Sequence, residues 1–145
     1  MNTKLPSFPP SLFGVLMFWA AGAASAAPPA SQGDWPQWRG PKRDGLCPET
    51  GLLKEWKGDG PPLLWQAKGL GKGFSSVAIA GGRIYTMGQR KNEAYLLALT
   101  LKDGKEEWTA KVGGGEPNCT PTVDGGLAYA IGRDGDIVCC DTEGG

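Results

Sequence analysis

The residues able to do chemistry are few, and their spacing does not group them for it. Four cysteines stand at positions 47, 119, 139 and 140, without the C-x-x-C spacing that gathers a structural zinc ion, and no histidine occurs anywhere in the chain. The lack of histidine removes the commonest general base and every nucleophile–histidine pair. Catalysis by this stretch alone would have to rest on carboxylates, lysine or a bound cofactor. Asp103, Asp124, Asp134 and Asp136 all fall in turn-like stretches beside glycine, where a short carboxylate hydrogen-bonds nearby backbone. A calcium site needs several such oxygens converging from separate elements. Segment 69–76, GLGKGFSS, sets a lysine among glycines, but it lacks the G-x-x-x-x-G-K-[ST] spacing and a following helix, so it reads as a connecting loop and not as a phosphate cradle. No catalytic or metal-binding residue is assigned, and cofactor-binding residues stay unassigned.

What the chain does carry is an internal repeat, which decides the elements around those residues. SSVAIAGGRIYTMG over 75–88 lies on CTPTVDGGLAYAIG over 119–132 at a constant offset of 44, so that Gly81 and Gly82 fall on Gly125 and Gly126, and Tyr85 on Tyr129. After a loop three residues shorter in the second copy, LALTLKDG over 97–104 falls on VCCDTEGG over 138–145. LLWQAKGLG over 63–71 falls on EEWTAKVGG over 106–114, placing Trp65 on Trp108.

Each copy predicts short antiparallel strands. Val77 and Ile79 alternate with small residues, and a Gly-Gly pair supplies the positive φ of a tight hairpin turn. A second strand is expected over 83–87, a third over 94–100, a turn over 102–105 with Asp103 and Gly104, and a fourth strand over 106–112. Four strands in a unit of roughly 40 to 45 residues is the layout of a propeller blade. A β-sandwich would give strands at similar spacing, but not matching turns at a fixed offset. The fold class expected is therefore all-β, a β-propeller of four-stranded antiparallel blades. About one and a half blades are expected over 63–145, preceded by an isolated fourth-type strand around Trp65.

The first residues have a different character. Lys4 precedes an apolar run over 12–23, which leads into Ala24, Ser25 and Ala26, the three-part layout of a secretory signal peptide with cleavage after Ala26. The run falls short of the roughly 20 residues a spanning helix needs, so no stable membrane anchor is expected, and the product is exported, periplasmic or secreted. Residues 27–62 read as an extended arm. Fifteen basic residues balance fifteen acidic ones, with the signs interspersed, which argues against a nucleic-acid partner.

The string LALTLKDGKEEWTAKVG over 97–113 resembles the tryptophan-docking motif of the quinoprotein β-propellers, written A-L-D-A-x-x-G-x-x-x-W and closing with a glycine, here Gly113. Thr100 stands where the motif has aspartate, and Asp141 restores it in the second copy. The arm's DWPQWRGPKRDG over 34–45 resembles the segment after the signal peptide in exported propellers of this kind, whose tryptophans are expected to pack on the propeller. The resemblance implies that Trp65 and Trp108 stack between neighbouring blades. It also implies a ring of about seven or eight blades, of which this chain would be a truncated part. Two activities follow as expectations. One is a non-catalytic scaffold, completed by the missing blades or by self-association and binding a protein or carbohydrate. The other is the N-terminal part of a PQQ-dependent alcohol or sugar dehydrogenase using PQQ and calcium, though no cofactor is expected on this stretch alone. Cys139 and Cys140 are adjacent and could form a strained vicinal disulfide, a feature of some quinoprotein dehydrogenases. Their strand positions, matching Ala98 and Leu99, favour small buried side chains instead.

Overall fold

The computed structural model describes residues 33–56, 58 and 60–145. The signal-type segment 1–26 lies outside the described residues. Among those described the fold is all-β, with seven strands: β1 (Ala78–Ala80), β2 (Arg83–Arg90), β3 (Glu93–Thr100), β4 (Glu106–Gly114), β5 (Thr122–Asp124), β6 (Leu127–Ile131) and β7 (Ile137–Asp141). They form two antiparallel sheets, β1-β2-β3-β4 and β5-β6-β7.

The glycine pairs set both first hairpins. Gly81 and Gly82 sit at φ 58° and 77°, Gly125 and Gly126 at 58° and 82°. Two successive positive φ angles make the mirror-image turn whose twist matches that of the flanking strands. The registers then coincide under the sequence offsets: Ala78 opposite Tyr85 is matched by Thr122 opposite Tyr129, and Tyr85 opposite Ala98 by Tyr129 opposite Cys139. The second hairpin is longer than expected. β2 and β3 pair through to Arg90 opposite Glu93, and the turn between them is Lys91-Asn92 at φ 49° and 67°. Asparagine tolerates this conformation, while for Lys91 the strain is carried by the long paired ladder it closes.

The core lies between the sheets. Tyr85, Met87, Leu96 and Ala98, with Trp108 and Val112, point from one face of the first sheet onto Ala128, Ala130 and Cys140 of the second. Large side chains thus meet small ones, which lets the sheets interdigitate. The opposite face of the second sheet is open: Tyr129 is 38% exposed, Ile131 46% and Ile137 70%, against 1%, 4% and 0% for their counterparts Tyr85, Met87 and Leu96.

The arm fastens the two sheets at their first strands. Trp35 exchanges backbone hydrogen bonds with Ile79 (2.8 and 2.9 Å), and the carbonyl of Pro36 accepts from Val123 N–H at 2.8 Å. Beyond them the arm turns rather than extending, with Gly40 folded under the Trp35 ring so closely that a Cβ there would lie 2.8 Å from Cη2. Trp38, expected to pack, is 64% exposed. The glycine-rich segment runs along the end of β2, where Lys72 and Gln89 exchange backbone hydrogen bonds. A side chain at Gly71 or Gly88 would collide with the other segment's backbone, so these glycines serve close approach. The N–H groups of Lys72 and Phe74 are given to the carbonyls of Gln89 and Pro117, not turned toward a common ligand.

Candidate functional site

The expected docking residues come together as two copies of one contact. Trp108 stands opposite Ala98 on β3, which in turn stands opposite Tyr85 on β2. Side chains at such a row share a face, and alanine in the middle leaves room for both rings. Their centroids are 6.0 Å apart with the planes tilted by 56°, a favourable edge-on arrangement. The indole reaches across to the turn that follows β7, where Nε1–H donates to the carbonyl of Thr142 at 3.2 Å. Gly145 lies under the ring, and a Cβ there would be 3.1 Å from Cε3.

Trp65 meets Gly104 in the same way, with a Cβ at Gly104 falling 2.6 Å from Cζ3. Gly104 and Gly145 occupy matching turns. Each has positive φ, 69° and 84°, and each donates its N–H at 3.0 Å to the residue four before it, Thr100 or Asp141. Only glycine satisfies both the backbone angle and the flat ring above it. The chain has no match among family models, curated proteins or solved structures.

The remaining predicted positions are also structural. Asp103 accepts hydrogen bonds from the Thr100 hydroxyl and from Lys105 N–H, and these, with the Lys105 ammonium, hold its carboxyl down at about 2. Its counterpart turn is closed by Asp141, whose Oδ1 accepts from Glu143 N–H at 2.7 Å. Gly113 is required by Asp136: the carboxylate of the β6–β7 loop lies where a Gly113 side chain would begin. Among the described residues no three histidine, cysteine, aspartate or glutamate side chains gather as a metal-binding group. All four cysteines are free. Strand alternation turns Cys140 into the core and leaves Cys139 on the open face, and burial pushes the Cys140 thiol up.

Trp65 is not in a strand. The sequence expects a fourth-type strand there, but among the described residues 63–71 makes no backbone–backbone hydrogen bond to a strand, the Gly69 carbonyl instead accepting from Arg90 Nε of β2 at 3.1 Å, while Leu63 and Leu64 are exposed. Its sequence is that of a strand, and what it lacks is a neighbour to pair with.

One polar cluster has no signal in the repeat. Arg83 donates from Nε to Glu107 at 2.5 Å and from its two terminal nitrogens to both oxygens of Glu143 at 3.1 and 3.2 Å. The paired carboxylates keep the guanidinium charged, Glu107 contributing most. This fork joins β2 and β4 to the turn after β7, locking the sheets together where the tryptophan docks. At Arg83's place the second copy has Leu127, so comparing the copies passes over it.

Proposed function

We propose that the chain is an exported scaffold of the quinoprotein-propeller type, built from stacked four-stranded blades and without catalytic chemistry of its own. The observation that carries this reading is the tryptophan-on-glycine contact made twice, Trp65 on Gly104 and Trp108 on Gly145, the two tryptophans being those the resemblance names for docking between blades. A contact repeated with the period of the sequence is a device for stacking like units. The chemistry-bearing residues support the same reading: Asp103 caps its own turn and Asp136 fills the space beside Gly113. The leader-like 1–26 supports export, and no helix among the described residues is long and apolar enough to cross a membrane. A protein or carbohydrate is the partner class such a scaffold suits.

The test is reconstitution. The purified chain is incubated with PQQ and calcium and passed through gel filtration. The quinone absorbance is expected to separate from the protein; stoichiometric co-elution overturns the non-catalytic reading in favour of a PQQ-dependent dehydrogenase.

A further inference from the structure

The turn that follows the arm's clamp on the two sheets is closed by its own hydrogen bonds. Gly40 N–H donates to the Gln37 carbonyl, Arg43 N–H to the Gly40 carbonyl and Gly45 N–H to the Arg39 carbonyl, at 3.0, 3.1 and 3.0 Å. Side chains tighten it further. Gln37 Nε2 donates to the Pro41 carbonyl, Arg39 Nη2 to the Asp44 carbonyl and Arg43 Nε to Gln37 Oε1. All these bonds lie within 37–45, and Gly40 seats the turn under the Trp35 ring, so its shape is set locally and by the clamp.

Folding leaves three features of this turn without use. Trp38 is 64% exposed. Arg39 and Arg43 stand at φ 65° and 56°, where glycine sits freely and arginine only at a cost. A paired ladder imposes such angles on Lys91 and Asn92, but none runs through 37–45, and a residue kept at a costly angle points to a use for its side chain. The third feature is charge. Arg39, Lys42 and Arg43 are exposed, and none has a carboxylate partner among the described residues, whereas Arg83 and Arg90 of β2 are each paired with glutamate. Asp44, the carboxylate of the turn, accepts from Leu46 N–H at 2.9 Å instead. Arg39 and Arg43 each spend one nitrogen on the turn, which leaves both terminal nitrogens of Arg43 without a protein partner among the described residues.

We propose that turn 37–43 binds an acidic carbohydrate, Trp38 stacking on a sugar ring while Arg39 and Arg43 pair with the carboxylate that the sugar carries. An indole presents a broad apolar face to the C–H face of a pyranose, and a guanidinium takes a carboxylate through two parallel hydrogen bonds. Charge complementarity decides the class of ligand. Three exposed cations without carboxylate partners call for an anion, and the exposed ring beside Arg39 calls for one with a flat apolar face and not a bare ion. A folded protein partner needs roughly 800 Å² from each side, more than one short turn offers. The charges elsewhere are of mixed sign and form no basic track for a nucleic acid. Because the turn is already closed, binding costs it little conformational freedom. This inference rests on the scaffold reading above and names its partner class.

The experiment titrates the purified chain with a galacturonic acid tetramer, read by calorimetry and tryptophan fluorescence, beside the methyl-esterified tetramer and sodium sulfate. Saturable binding of the acidic tetramer is expected, weakened by added salt and about tenfold weaker for the ester, which keeps the rings and loses the charge. Trp38→Ala and Arg43→Gln should each weaken it about tenfold. Arg39→Gly separates binding from folding. Glycine relieves the backbone angle, so the melting temperature should not fall while binding weakens about tenfold; a lower melting temperature with unchanged binding would mean that Arg39 only holds the turn, and would overturn its role. No saturation at millimolar tetramer, equal binding of the ester, sulfate binding as tightly as the tetramer, or binding indifferent to all three substitutions each overturns the site. The scaffold reading survives those outcomes, since reconstitution with PQQ tests it separately.

Discussion

Replacing Trp108 by alanine tests the docking contact most directly. The side chain is half-buried between the sheets, against Tyr85 on one side and Gly145 beneath, with Nε1–H on Thr142. Returning about 120 Å² of its surface to water costs about 3 kcal/mol at about 25 cal/mol/Å². Loss of the hydrogen bond adds about 1 kcal/mol. The expected total of about 3 to 4 kcal/mol falls within the range measured for large aromatic truncations. Trp108→Phe keeps part of the ring contact but loses the second ring as well as the N–H, so an intermediate loss of about 2 kcal/mol is expected. Trp38→Ala, at a ring 64% exposed, serves as the control and should stay within about 0.5 kcal/mol. The assay is urea denaturation followed by far-ultraviolet circular dichroism, since the mutations remove fluorophores. Chain concentration is held constant because association adds to apparent stability. Equal midpoints for Trp108→Ala and Trp38→Ala would refute the claim that the indole is docked between the sheets.

Three further outcomes are expected. Gly113→Ala should destabilise by about 2 kcal/mol because its Cβ displaces the Asp136 carboxylate, and Asp136→Ala in the same chain should recover most of the loss, as a double-mutant cycle of melting curves would show. Asp103 has a folded pKa held down at about 2 by Thr100 and Lys105; a depressed carboxylate stabilises the fold above its unfolded value near 3.8 and loses that contribution as pH falls toward 2. The melting temperature of the parent should therefore drop more steeply than that of Asp103→Asn across this window, and parallel curves would contradict the assignment. Terminal sequencing of exported protein should find a mature start near Ala27, and an intact Met1 would sink the export reading.

The strands and their turns were legible in the sequence because they depend on local rules. A Gly-Gly pair between alternating residues specifies a two-residue hairpin wherever it occurs, and the offset of 44 carried one register onto the other. Gly104 was legible as a turn residue, but that it and Gly145 lie under tryptophans was shown only by the structure. The Lys91-Asn92 turn was harder to see, since neither residue demands positive φ and the long ladder imposes it. Other features were decided only in three dimensions. Tyr129 and Tyr85 occupy equivalent positions, yet one is open and the other buried, because burial depends on which sheet lies next in the stack and not on the strand's own pattern. Segment 63–71 has the residues of a strand and remains unpaired, since a strand is completed by its neighbour's backbone. The Arg83 fork and the Trp35–Pro36 clamp join residues far apart in the chain. The fork has no counterpart in the second copy, and the clamp is made by arm residues that lie outside the repeat, so no local rule or repeat announces them.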